Sequence, residues 1–598
     1  MLGVIANWIY VLITTYIIGF ATLEGISTIS CMHASKGQRK FAYTYKYNES
    51  FLIAGILVVN VYAELFSLIS RVSLAANLVL IFACFLLYYE YREAMNERLI
   101  AGVGRIISTG SFWLYLAIFL IMAYGTSHGL MHYDTDLYHA QAIRWIEEFG
   151  TIVGLGNLHL RLGYNSAAFA LSALYSGSFF GKSYHAMAGY FALLLAWQCA
   201  DIKTIVRRKH PVLSDFVRLI AIYYLFTIFD EMVSPASDYF MATMVLYIVI
   251  HWLDLYTFRE RAFLPYALLS ICTVYITTIK LSAAPLLLLS VYPIIRILRK
   301  YGKKGIVAIL LSVFLCIIIA IPYFARNAIQ TGWLIYPFTG IDLFHFSWKI
   351  PYETALSDAN EITVYGRGFT DVSMIGAAFG EWFPAWFSKL SLFNKIMLSL
   401  DGICFPVFLG CVGYYVTERI KGTGKRLPAS ENAISNVFHL HHRRSVSLSD
   451  FLFIEGISYI ALLYFICTSP LVRYGCVYLW LPAVMLIGRF VILLDNAFDN
   501  PVKKYIYKCV IVIFAAFMAF KFGVLIRDDI PRFRLNNLVT QQPYNSYSLK
   551  EKQINGQTFY YPEEGDRTGY DPFPSTPNPD GFRMAGEKII DGFLPPAE

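Results

Sequence analysis

The run Gly305–Tyr323, GIVAILLSVFLCIIIAIPY, carries no charged residue across nineteen positions. At about 1.5 Å per residue a helix of that length reaches about 28 Å, close to the hydrocarbon thickness of a bilayer. Comparable apolar runs lie near 4–22, 51–69, 73–91, 111–127, 184–200, 214–230, 238–256, 262–279, 283–297, 394–416, 451–468, 473–493 and 505–524. The reading is therefore an all-α polytopic membrane protein with about fourteen transmembrane helices. Composition agrees: the 598 residues are 57% hydrophobic and 15% charged, with mean hydropathy +0.52, whereas a soluble chain carries about 25% charged residues. That balance excludes a soluble enzyme, a disordered chain and a disulfide scaffold. The ten cysteines avoid the three long polar segments 129–182, 325–391 and 526–598 and read as small buried hydrophobes. The run from Val4 to Phe20 lacks a basic flank and reads as a retained helix.

The excess of 49 Lys+Arg over 41 Asp+Glu, a net charge of +8, reads as topology and not as nucleic-acid binding. Basic connections recur at every second loop: Lys36–Lys46, Arg92–Arg105, Arg207–Lys209, Arg259–Arg261, Arg296–Lys304, Arg419–Arg444 and Lys503–Lys504. The positive-inside rule assigns these to the cytoplasm, so both termini and the three long segments face outward. This parity allows one crossing within 165–200, at 184–200, and makes Asn165–Gly181 an expected interfacial helix. The chain then divides into N-terminal helices 1–110, a core 111–325 containing the first outer loop 129–182, a second outer loop 326–393, C-terminal helices 394–525 and an extracytoplasmic tail 526–598. In the basic segment 417–450, His439, His441 and His442 lack acidic or cysteine partners, which favours anionic-lipid contact or disorder over a metal site.

Chemistry concentrates just after the fourth run, in His132-Tyr133-Asp134-Thr135-Asp136-Leu137-Tyr138-His139. Tyr138, Ala142, Trp145, Ile146 and Phe149 then share one face of a helix, with Gln141, Arg144, Glu147 and Glu148 around the rest; such a helix is amphipathic and suits the outer leaflet. Two carboxylates at its start have three readings. They cap free N–H groups; one acts as a general base at the mouth of a membrane cavity; or Asp134, Asp136 and His139 supply donors for a divalent cation.

The pattern D-x-x-x-Y-H-x-x-x-x-x-W, carried by Asp134, Tyr138, His139 and Trp145 just outside a membrane helix, resembles the first outer loop of bacterial glycosyltransferases of the GT-C fold. The string Gly154-Leu-Gly-Asn-Leu-His159-Leu-Arg161-Leu-Gly-Tyr-Asn165 resembles a largely uncharacterised bacterial subfamily of these proteins. The resemblance covers about residues 110–325, and three helices precede it beyond the simplest plan. It implies a multi-helix core in the bacterial inner membrane, with its active site on the outer face. It also implies a sugar donor carried on polyprenyl phosphate, a glycan, lipid or protein acceptor, and an acidic base in the first loop, which by position is Asp134. Asp136 would orient the acceptor or a metal.

The departing phosphate needs cations at the membrane boundary. Lys280, Arg326, Lys349, Arg367 and Arg473 are the candidates, with His139, Tyr138, His159 and Arg161 as further substrate contacts. Lys280 at a span end is also a snorkelling anchor, and Arg326 an interfacial one. In the second outer loop, Tyr336-Pro337-Phe338 and Trp382-Phe383-Pro384-Ala385-Trp386 form either an interfacial belt or a stacking platform. The tail is too small for its own core and is expected to lie over the outer loops. An O-antigen-type polymerase or ligase is the nearest enzymatic alternative, and a lipid or glycan transporter or a surface-polymer scaffold the non-enzymatic ones.

Overall fold

A computed structural model describes residues 1–32, 49–203, 211–258, 260, 262–420, 446–497 and 501–597. The clusters Lys36–Lys46 and Arg207–Lys209, Arg259 and Arg261, the basic residues from Lys421 to Arg444, and His439, His441 and His442 lie outside those residues.

The principal helices are α1 (Leu2–Met32), α2 (Glu49–Ile69), α3 (Leu74–Ser108), α4 (Phe112–Ser127), α5 (Ala140–Glu148), α6 (Ala167–Tyr175), α7 (Met187–Cys199), α8 (Leu213–Thr227) and α9 (Ser237–Thr257). They continue with α10 (Leu264–Ile279), α11 (Val291–Tyr301), α12 (Ile306–Thr331), α13 (Tyr352–Gly366), α14 (Phe379–Lys389), α15 (Leu392–Ile420), α16 (Leu448–Cys467), α17 (Leu481–Ala497) and α18 (Pro501–Asp529). Among the described residues nine helical stretches are long and apolar enough to cross a membrane. The chain is thus a multi-pass membrane protein, and helices cover all fourteen apolar runs, the one at 283–297 opening as a 3₁₀ segment, Leu281–Ser290. Large apolar residues stay exposed on α3, α12 and α15, among them Phe82, Leu310 and Ile403, as expected of faces whose solvent is lipid. Helices α1 and α2 pack at backbone distance: a Cβ on Gly19 would lie 1.8 Å from the Phe51 carbonyl oxygen, and one on Gly55 1.8 Å from that of Thr15. Small residues permit this close approach between membrane helices. Six of the described cysteines are buried, while Cys467 and Cys509 are exposed.

Two expectations for the first outer loop change. Every residue of α6, AAFALSALY, is buried, so this helix does not lie along a surface. It is apolar on all sides, and such a helix belongs inside a packed core; it sits against α2 and α5. Helix α5 is amphipathic as read, but its polar face meets protein. Gln141 donates to the Gly569 and Tyr570 carbonyls at 3.0 and 3.1 Å, Arg144 donates to the Tyr570 carbonyl at 2.7 Å, and Tyr570 donates to Glu147 at 2.6 Å.

The covering segment is the tail, which adds the small β component of the fold. A hairpin, β1 (Leu549–Ile554) with β2 (Gln557–Pro562), and a short antiparallel pair, β3 (Arg583–Met584) with β4 (Phe593–Leu594), flank a proline-rich stretch. The tail leaves α18 and crosses the ends of several helices. Val539 accepts from Gly3 N at 2.9 Å, Gln542 N donates to the Ser127 carbonyl at 2.8 Å, and the His185 ring meets the Gln542 carbonyl at 2.8 Å. Its aromatic residues then supply the core it cannot make alone: Phe573 and Phe593 pack on Trp145, ring centroids 4.7 and 5.8 Å apart. Strand β4 comes so close that a Cβ on Gly154, at φ +66°, would lie 1.9 Å from the Phe593 carbonyl oxygen. The chain start, the first loop and the tail therefore occupy one side of the bundle.

Trp145 is fully buried at this junction. Trp145→Ala should weaken tail docking by about 3–5 kcal/mol, the usual cost of deleting a core aromatic. Limited proteolysis should then release the tail faster than in the parent protein; unchanged cleavage would contradict the packing.

Candidate active site

The connections on that side of the bundle enclose a cavity of about 590 Å³. Its wall includes Asp134, Tyr138 and Arg161 from the first loop, Ser237 from the start of α9, and Lys280 after α10. Tyr323 of α12, Tyr336 of the second loop, Thr468 after α16, Arg473 and Asp566 of the tail complete the circuit. Helix ends assigned to one side by charge parity thus meet around one cavity.

Asp134 is placed by stitching between loops. Leu130 N donates to the Asp230 carbonyl at 2.6 Å, and His132 N donates to Ser234 Oγ at 2.7 Å. A π turn, Thr135–His139, follows, and the Asp134 side chain caps no N–H group. Its carboxylate instead meets Arg473: Nη2 lies 2.5 Å from Oδ2. Arg473 is placed from elsewhere. The turn before it is held by Trp386, whose Nε1 donates to the Pro470 carbonyl at 2.8 Å, and by Ser469, whose hydroxyl donates to the Ile362 carbonyl at 2.9 Å. Trp382 and Trp386 are both buried, so they anchor the second loop inward and are not an interfacial belt.

Asp238, in the first turn of α9, joins the cluster. Its Oδ2 lies 3.0 Å from Arg473 Nε, and its Oδ1 forms an ion pair with Lys280. Lys280 also sits 3.8 Å from the centre of the Tyr474 ring, a cation–π distance. Arg473 Nη1 donates to the His132 ring, closest to Nε2. Burial, reinforced by the Arg473 charge, lowers His132 to about 4, so the ring is neutral at pH 7. The result is a four-charge network, Asp134–Arg473–Asp238–Lys280, at the boundary between loops and helices. A second group lines another stretch of wall: Arg161 Nη2 lies 2.5 Å from Glu361, its Nη1 lies 3.3 Å from Asp358, and Tyr164 and Tyr336 each donate to Asp358 at 2.7 Å.

The remaining sequence candidates sit apart from the cavity wall. Asp136 accepts from Asn545 Nδ2 at 2.9 Å and Tyr547 OH at 2.7 Å, while its own carbonyl accepts from Thr568 N and Gly569 N. It pegs the tail. Positions two apart on a helical turn do not share a face, which is why Asp134 and Asp136 diverge. His139 is buried beside Tyr138 and Phe169, with Nδ1 3.4 Å from Thr135 Oγ. Asp134, Asp136 and His139 therefore do not form a donor set, and among the described residues no other cluster of three His, Cys, Asp or Glu side chains suits a metal. Arg326 is buried between Asn165, Ser67 and Thr151, where it ties α12 to the first loop. Lys349 pairs with Asp342 and covers the Trp333 ring at 4.0 Å. Arg367 donates to the Ile375 carbonyl at 3.0 Å and lies 5.0 Å from the Trp382 ring. His159 is half-buried, and burial lowers it to about 3.

Asp238, His132 and Tyr474 are site residues that the sequence reading did not single out. Asp238 carried a usable signal, since an acidic residue at the edge of an apolar span is costly unless paired.

The depressed His132 sets a pH dependence. A histidine near 4 in the fold and about 6.5 unfolded stabilises the protein when both states are neutral, and that contribution is lost as pH falls from 6.5 towards 4. The parent protein should therefore lose more thermal stability between pH 7 and pH 5 than His132→Gln does. Equal losses in the two would contradict a buried neutral His132.

No curated protein and no solved structure matches the chain. A family model described as a domain of unknown function, DUF8201, matches residues 1–480, which include Asp134, Asp238, Lys280 and Arg473 but end before the tail. The protein belongs to the DUF8201 family.

Proposed function

We propose that the protein is an integral-membrane glycosyltransferase of GT-C type. It transfers a sugar from a polyprenyl-phosphate carrier to a hydroxyl acceptor, either glycan, lipid or protein, on the outer face of the bacterial inner membrane, with about fourteen crossings. The observation that carries the reading is the cavity at the helix ends in which Asp134 and the cations Arg473 and Lys280 meet. A donor of this kind has its reacting carbon at the lipid–water boundary because its prenyl chain stays in the bilayer. The site therefore has to sit where the helices end, beside loops that admit a polar acceptor.

In the proposed step Asp134 takes the proton of the acceptor hydroxyl. The hydroxyl oxygen bonds to the anomeric carbon, and the bond from that carbon to the phosphate oxygen breaks, its electron pair leaving with the phosphate. This is a single displacement, so the anomeric configuration inverts. Arg473 and Lys280 offset the charge gathering on the phosphate. Arg161, Glu361 and the tyrosines around the cavity supply hydrogen-bonding groups for sugar hydroxyls.

The test is turnover of purified protein in lipid nanodiscs supplied with a panel of polyprenyl-phosphate sugars. Sugar transfer is expected, and Asp134→Asn should lower it by about 10²–10⁴-fold, the usual contribution of a general base. Asp136→Asn should retain far more activity than Asp134→Asn, because its carboxylate faces the tail. Full activity of Asp134→Asn would remove Asp134 as the base.

A further inference from the structure

The cations of the network are already occupied. Arg473 spends Nη2 on Asp134 and Nη1 on His132, its Nε lies 3.0 Å from Asp238 without making a hydrogen bond, and Lys280 is paired with Asp238. A phosphate that engages the guanidinium as a bidentate ligand needs two adjacent N–H groups on one edge, and each edge holds a resident partner. Binding is therefore an exchange, and the two carboxylates differ in how readily they yield. Asp238 is 5% exposed and faces both cations, whereas Asp134 is 20% exposed and holds one.

We propose that the Arg473–Asp134 ion pair is a latch: a phosphate monoester or diester that enters the cavity takes Arg473 from Asp134, and so frees the Asp134 carboxylate. Asp238 is then the positioning residue that keeps Arg473 and Lys280 side by side during the exchange. The four resident charges sum to zero before binding. Afterwards the incoming anion shares the two cations with Asp238, and Asp134 is left with less positive charge against it, which makes it a stronger proton acceptor. This deepens the glycosyltransferase reading and rests on it: the base is masked until the phosphate-bearing donor is seated.

The exchange makes a prediction opposite to that for an ordinary binding residue, because removing Asp134 should tighten phosphate binding. The probe is farnesyl phosphate, titrated into the purified full-length protein in nanodiscs, with farnesol and inorganic phosphate as comparison arms. Asp134→Asn is expected to bind farnesyl phosphate about two- to five-fold more tightly than the parent, on the scale of a partly exposed ion pair. Asp134→Ala should shift the same way, and Arg473→Gln should weaken binding more than about ten-fold. Competition by farnesyl phosphate alone assigns a lipid-borne phosphate, and equal competition by inorganic phosphate assigns a free one; both keep the latch. Unchanged or weaker binding in both Asp134 variants, or full binding by Arg473→Gln, overturns it. The two readings fail separately. Sugar transfer without tighter binding sinks the latch alone, and tighter binding without transfer from any donor sinks the transferase reading alone.

Discussion

Arg473 between Asp134 and Asp238 is the constraint on which the site depends. It joins a loop that follows α4, the first turn of α9 and the turn after α16, three pieces of chain remote in sequence. The geometry is demanding because two carboxylates near each other at the edge of a membrane repel and resist desolvation. A guanidinium is suited to bridging them, being permanently charged, planar and supplied with five donors. Removing it would leave Asp134 without its cation and the buried Asp238 with Lys280 alone, and breaking a buried pair typically costs about 3–5 kcal/mol. The same cation that permits the cluster to exist holds the Asp134 carboxylate in place.

The tail plays a second part in the architecture. Helix α5 arrives at the surface with a polar face that neither lipid nor the apolar core could satisfy, and the tail meets that face with backbone carbonyls and the Tyr570 hydroxyl. Asp136 is the peg that fixes its register. Asp566 of the same segment then reaches the cavity rim, where it accepts from Tyr133. One short π turn thus separates two aspartates by position: the first faces the cavity, and the second holds the tail against the first loop.

The helical architecture was legible in the sequence because hydrophobic run length is a direct physical signal in a membrane protein, and several of the helix ends that charge parity grouped together line one cavity. Asp134, Tyr138, Arg161, Lys280 and Arg473 were each legible as polar groups at those ends. Their convergence was not, since Asp134 and Arg473 are 339 residues apart and no local pattern encodes their pairing. Asp136, His139 and Arg326 have the same chemistry as true cavity residues and are separated from them only by side-chain direction and tertiary partners. The surface assignment of 165–181 failed because a short helix apolar on every side reads alike whether it lies against lipid or protein. Helix α5 was read as amphipathic and suited to the outer leaflet, and its polar face meets the tail.

On the proposed function, the cavity receives a phosphate carried on a membrane-embedded chain. The most direct test is a structure of the protein in nanodiscs with a polyprenyl phosphate bound. The phosphate is expected within hydrogen-bonding distance of both Arg473 and Lys280, with the prenyl chain leading from the cavity into the bilayer. A phosphate bound elsewhere, with the Asp134–Arg473–Asp238–Lys280 network intact and the cavity empty of lipid, would contradict it.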